Sequence, residues 1–316
     1  MSRIAVELTA PDIGRHRSSS TGVDFVHTFE GPRPGPHVMV NAVTHGNELC
    51  GAIALDRLLR MGVRPTRGAL TLSFANIEAF SRFDPQRPYA TRFIDEDFNR
   101  VWNAETLDGP RDSIELRRAR ALRPFVEAAD FLLDIHSMLE PSPPVMICGP
   151  LDKGIQLAFD VAIPRDIVCD EGHANGTRMR DYGGFGDPRS AKNALLVECG
   201  QHWERAAEHV AWQTTWRFLR HTGIVDPEIA GREISDSPAQ QRLVRVTEAV
   251  VARTPEFRFA RGFSGMEVVE RKGDVIAYDG AETVRAPYDN CVLVMPVPNN
   301  VKTGLTAVRL GRIEQR

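Results

Sequence analysis

The stretch HVMVNAVTHGNELCGAIALDRLLRMG, residues 37–62, decides the fold. Its opening, His37 to Thr44, is a short apolar run, β-branched in part, which suits a buried strand. Its close has another period. Leu49, Ala52, Leu55 and Leu59 recur at steps of three and four, one stripe of a helix. Between them stands Thr44-His45-Gly46-Asn47-Glu48, a polar hand-over that neither core explains.

The alternation continues outward. TLSFANI (71–77) reads as the next strand, and residues 78–103 carry too many charges and breaks for a core element. Ser113 to Ala129 is helical, FLLDIHS (131–137) and NALLVECG (193–200) are buried strands, and Arg205 to His221 is a helix that Gly223 stops. The first 35 or so residues, polar and rich in Ser, Gly and Pro, read as an arm or edge element. Strands alternating with helices predict an α/β fold, a mixed, mostly parallel sheet flanked by helices. After Gly223 the composition shifts. Residues 224–238 read as a linker, and short β-rich runs follow it. The expected division is 1–225, a catalytic α/β domain, and 226–316, a small C-terminal β domain.

The bulk properties exclude several function classes. A net charge of −3 with both signs scattered argues against nucleic acid and membrane surfaces as partners. No stretch is long and apolar enough to span a bilayer, and the N-terminus lacks the apolar core of a secretory signal. Five cysteines without CxxC spacing suggest a reducing, cytoplasmic compartment, so a metal site must draw mainly on His and carboxylate. A homo-oligomer is compatible with all of this.

Three apolar strands end in polar clusters: Thr44 to Glu48, Asp134-Ile135-His136-Ser137, and Glu198-Cys199-Gly200-Gln201. Ligands bind at the carboxyl ends of strands in open α/β sheets, so the clusters can share one crevice. His45 and Glu48 lie three apart, one helical turn, and His136 would add a third ligand. Two histidines and a glutamate with an open fourth position is a catalytic zinc pattern. Asp134 or a backbone carbonyl would orient a ligand imidazole. Alone, the HxxE is more simply a capped helix start, and His136 a buried, hydrogen-bonded residue. Their order, each after a strand, favours the metal. A lone buried carboxylate is costly, which favours a chemical role for Glu198. Cys199 has no His and Asn arrangement that would make it a nucleophile. His173 and His202 read as structural.

HGNE (45–48), TRFIDEDFNR (91–100), DIHS (134–137) and VECGQ (197–201) together resemble the aspartoacylase/succinylglutamate desuccinylase family, a branch of the zinc carboxypeptidase fold. The resemblance spans about residues 37 to 202. It implies one zinc ion per chain on His45, Glu48 and His136, with Glu198 as general base and then general acid. Arg92 would polarise the scissile carbonyl, and Asn99 and Arg100 would grip a substrate carboxylate. Arg189 would read the leaving amino acid, with Arg178 and Arg180 as rivals, and Tyr288 would reach in from the β domain. Chemistry fits each role. Zinc brings the pKa of bound water from ~16 to about 7, a carboxylate can shuttle its proton, and an Arg fork beside an amide suits a carboxylate. Three positions depart from the family pattern: Ser137 after DIH, Phe98 for the usual Leu, and Cys-Gly-Gln after Glu198. They leave the metal chemistry alone and loosen the link to aspartoacylase specificity. Residues 271–296 resemble a biotinyl/lipoyl-like β sandwich, but the turn Pro287 to Asn290 lacks a lysine, so shape support or pocket closure is the expected role.

The expected activity is hydrolysis of the amide of an N-acyl amino acid or similar small carboxylate-bearing N-acyl amine. The alternatives are a carboxypeptidase-type hydrolase of short peptides and a non-catalytic zinc- or ligand-binding module.

Overall fold

The computed structural model describes residues 4–172, 175–299 and 301–314. Edge strand β1 (Val26–Glu30) comes from the Pro- and Gly-flanked arm, followed by β2 (His37–Ala42) and helix α1 (Leu49–Arg60). Leu49, Ala52, Leu55 and Leu58 of α1 are buried, so the helix seats its stripe one position from Leu59. β3 (Ala69–Phe74), the short α2 (Ile77–Ser81) and α3 (Ala104–Asp108), then α4 (Ile114–Ala128) lead to β4 (Phe131–Met138). Ser113 caps α4 by accepting from the Leu116 amide, a Ser N-cap on a helix that then buries Leu116, Ala119, Leu122 and Val126.

β5 (Val145–Ile147), α5 (Asp152–Val161) and β6 (Asp166–Cys169) precede β7 (Asn193–Gln201), α6 (Arg205–Thr222) and α7 (Pro227–Glu233). Gly223 closes α6 in the left-handed conformation, φ 67°. α7 lies inside the expected linker, where Asp226 accepts from the Glu228 and Ile229 amides and Pro227 opens the helix. The remaining strands are β8 (Arg242–Val251), β9 (Arg258–Phe259), β10 (Glu267–Val269), β11 (Val275–Asp279), β12 (Glu282–Arg285), β13 (Cys291–Val294) and β14 (Thr306–Glu314).

Eleven strands form one mixed sheet in the order β1-β3-β2-β4-β7-β5-β6-β8-β14-β13-β10, and β12-β11-β9 make a second sheet. β3, β2, β4 and β7 run parallel. The C-terminal strands do not stand apart: β8 pairs in parallel with β6, so they prolong the main sheet. They also enclose a core of their own around Phe257, Ile276, Leu293 and Leu310. From β2 the chain moves outward to β3 and then crosses back to β4 on the other side. The order therefore switches between β2 and β4, where an open α/β sheet parts to receive a ligand.

Candidate metal centre and cleft

The three polar clusters meet at that switch point. After β2, Val43 adopts φ 63°, a region in which a β-branched side chain is strained, and the chain turns sharply to present His45. Gly46 is required next. A Cβ there would lie 2.4 Å from the Ala79 carbonyl carbon and 2.5 Å from the Thr91 oxygen, while its own amide bonds Arg92 O at 3.0 Å. Glu48 then begins α1. On β4 and β7 the register shifts just past the pair His136–Glu198, a bulge that aims side chains beside the site.

His45 Nδ1 is 2.7 Å from Glu48 Oε1, and His136 Nδ1 is 3.1 Å from Glu48 Oε2. All three side chains are buried, and among the described residues they are the one His/Cys/Asp/Glu group compact enough to hold a metal ion. The opposite ring nitrogens face carboxylates: His45 Nε2 meets Asp97 at 3.0 Å and His136 Nε2 meets Asp134 at 2.8 Å. Asp134 in turn accepts from Asn41 and Thr44, and Ser73 donates to Asn41. A proton fixed on Nε2 by Asp134 leaves the His136 Nδ1 lone pair facing a carboxylate. Glu48 Oε2 accordingly has no aligned hydrogen bond although it is buried. Two acceptors cannot face each other in a dry site without a proton or a metal cation between them, and the donor set of two imidazoles and one carboxylate suits a zinc-like ion. Burial opposes the charge on Glu48, but His45 and His136 hold its carboxyl well below the usual range. Burial also disfavours a charged His136, which Asp134 and Glu48 outweigh, raising it.

Around this group the cleft is lined by Arg92, Asn99, Arg100 and Glu198. Arg92 Nη2 is 2.9 Å from His45 Nε2 and 3.2 Å from Asp97, and its other terminal nitrogen is 3.8 Å from Glu48. Asn99 Oδ1 accepts from the Met179 amide, which leaves the Asn99 amide hydrogens to donate elsewhere. Burial, reinforced by Arg92, Arg178 and Arg309 against the pull of Asp97, brings Arg100 down to about 10, so this end of the cleft is electropositive. Glu198 is buried with Oε2 unpartnered, and desolvation pushes its carboxyl up to about 8.

Seven of the nine expected site residues thus come together, and two do not. Arg189 sits on an exposed turn, its guanidinium held by Asp187 two residues away at 3.3 Å, and does not line the cleft. Tyr288 is also outside it. The phenol bonds Thr247 at 2.6 Å, the ring lies under Arg312, and the side chain packs against the β unit's own core. Of its two rivals, Arg178 lines the cleft, locked by Asp170 at 2.6 and 3.1 Å and by Asp181 at 2.5 Å. Arg180 turns inward instead, to Asp181 and the Ala194 carbonyl.

Two contributors were not singled out in the sequence. Asp97 is the last of the three acids in DEDFNR, where nothing local separates it from its neighbours. Arg309 comes from β14, and Gly265 and Val294 to Val297 wall the same cleft, so the β unit closes the pocket. His202, buried, bonds Ser137 through Nδ1 at 2.8 Å, a structural contact. His173 lies outside the described residues.

The family model of the succinylglutamate desuccinylase/aspartoacylase catalytic domain matches residues 34–211, more than half of the chain and every cluster above except the wall from Gly265, Val294 to Val297 and Arg309. The chain belongs to this family. Desuccinylase/aspartoacylase members are deacylating hydrolases, and this chain is an enzyme of that kind. No curated protein sequence matches significantly. Among solved structures, a succinylglutamate desuccinylase/aspartoacylase from Rhodobacter sphaeroides aligns with TM-score 0.65 and 17% identity over 93% of this chain and 90% of its own. A product-bound ectoine utilization protein from Ruegeria pomeroyi gives 0.63 and 17% over 90% and 87%. An aspartoacylase family protein from Mesorhizobium loti gives 0.61 and 19% over 92% and 89%. At such identities the likeness is one of fold. Among the described residues no helix is long and apolar enough to cross a membrane.

Proposed function

We propose that this chain is a zinc-dependent amidohydrolase that removes the acyl group from a small N-acyl amino acid or similar carboxylate-bearing amine. The observation that carries the reading is the buried convergence of His45, Glu48 and His136 beside an unpartnered Glu198. The three ligands would hold one zinc ion per chain, and zinc when bound supplies a Lewis acid that acidifies water and polarises a carbonyl.

The chain's own residues do the rest. Burial pushes the Glu198 carboxyl up to about 8, and a cation held by His45, Glu48 and His136 would lower it, favouring a carboxylate close to neutral pH. Such a group takes a proton from the attacking water and returns it to the departing nitrogen. Arg92 is placed to meet negative charge developing on the acyl oxygen. Asn99 and Arg100 grip the substrate carboxylate and fix the amide against Glu198. Residues 1–225 act as the catalytic unit, and 226–316 wall the cleft and keep substrates small. Five buried, unbridged cysteines fit a reducing, cytoplasmic setting.

The test is amine release from a panel of N-acyl amino acids by zinc-loaded protein and by Glu198→Gln. Loss of turnover by about 100- to 10,000-fold with zinc still bound is expected; undiminished turnover would remove Glu198 from its role. Faster cleavage of short peptides than of any acyl amino acid would move the assignment to a carboxypeptidase.

A further inference from the structure

The cleft has two unlike halves. On β7, Leu196 and Glu198 are two residues apart and share a face of the sheet. Leu196 pairs with Ile147 of β5, and Ile147 pairs with Val168 of β6, so an aliphatic row leads away from Glu198 across three strands. All three line the cleft, and they belong to one buried cluster that includes Val294 and has Met295 packed against it, both of which line the cleft too.

The guanidiniums on that side already have carboxylate partners. Arg178 is consumed by Asp170 and Asp181, and Arg309 lies 3.9 Å from Asp170. A second carboxylate entering there would have to break a buried ion pair, which costs far more than it returns. Arg100 differs in what it faces: Asp97, 4.0 Å away, is already engaged by Arg92 at 3.2 Å and His45 at 3.0 Å. One anion clamp remains, and beside it an apolar wall.

We infer that the substrate carries a single carboxylate and an apolar group of several carbons, which packs on the row Leu196, Ile147 and Val168 beneath Val294 and Met295. This specifies the substrate class of the deacylase reading and rests on it. The apolar group can belong to the acyl chain or to the amino acid, and the two arms of the test separate them.

In one arm, zinc-loaded enzyme is given N-acetyl-, N-butanoyl- and N-hexanoylglycine. In the other it is given N-acetylglycine, N-acetylleucine and N-acetylphenylalanine. N-acetylaspartate and N-succinylglutamate serve as dicarboxylates. In one arm kcat/KM should rise by about fourfold per methylene buried, with both dicarboxylates at least about tenfold below the best monocarboxylate. Val297→Trp, on the half-buried part of the apolar wall, should erase the gain, bringing the kcat/KM ratio of the larger substrate to N-acetylglycine down to about one. A flat or falling series in both arms, or a dicarboxylate as best substrate, overturns the inference.

Calorimetric titration of zinc-loaded Glu198→Gln with the same compounds reads the subsite without turnover. Affinity that climbs with apolar size while the wild type cleaves nothing would sink the deacylase reading and keep the subsite. Cleavage with affinity indifferent to apolar size would do the reverse.

Discussion

His202 shows how a single buried side chain can set the response of the protein to acid. Burial pushes its imidazole down to about 3, from an ordinary value of 6.5. The folded chain therefore keeps it neutral where the unfolded chain would take up a proton. The stability it contributes is complete above pH 6.5 and is lost as pH falls from there toward 3, at about 1.4 kcal/mol per pH unit. Urea midpoints at pH 7, 6, 5 and 4 should fall more steeply for the wild type than for His202→Gln; parallel curves would show that another group dominates. At this scale the candidate metal ligands and Glu198 were legible because each breaks the apolar logic of the strand before it. Arg189 misled for the opposite reason. Distance along the chain to Glu198 says nothing about direction, and Asp187 nearby already holds it at the surface.

At the scale of elements, the hand-over after β2 carries the most consequence. Gly46→Ala must push back the backbone at Ala79 or Thr91, so a loss of about 1–3 kcal/mol is expected. Because the Gly46 amide also holds Arg92 O, zinc affinity should fall along with the denaturation midpoint. A variant with native midpoint and native zinc affinity would show that the turn can yield. Long elements such as α1, β4, β7 and α6 were readable, since their apolar period runs through several repeats. β5 and β6, of three and four residues, are too short to display a period. α7 was hidden by its polar surface, although its Asp226-Pro227 start is a helix signal visible in the sequence.

Across the whole molecule, β6–β8 pairing joins the two parts of the chain through backbone hydrogen bonds. One cooperative thermal transition is expected, not two. Zinc at a thousandfold its Kd should raise the stability of the folded state by about 4 kcal/mol. Chelation should lower Tm accordingly, and His136→Ala should abolish the increment; its metal-free Tm should also fall below that of the metal-free wild type, because Asp134 and Glu48 lose a buried partner. Two separate transitions would mean that the β unit melts on its own. The sequence showed the β-rich composition of residues 242–314 and not its partner, because which edge a strand joins depends on residues far away.

The order in which the pocket's parts lie along the chain has a consequence for biosynthesis. His45, Glu48, His136 and Glu198 have all left the ribosome about 110 residues before Arg309 of β14 does. At about 5–20 residues per second, that is an interval of several to some twenty seconds. During it a nascent chain could capture its metal while the far wall is still unmade. Loading would thus take place through a doorway that the last strand then bricks up, and exchange of the metal in the finished protein should be slower than its first uptake.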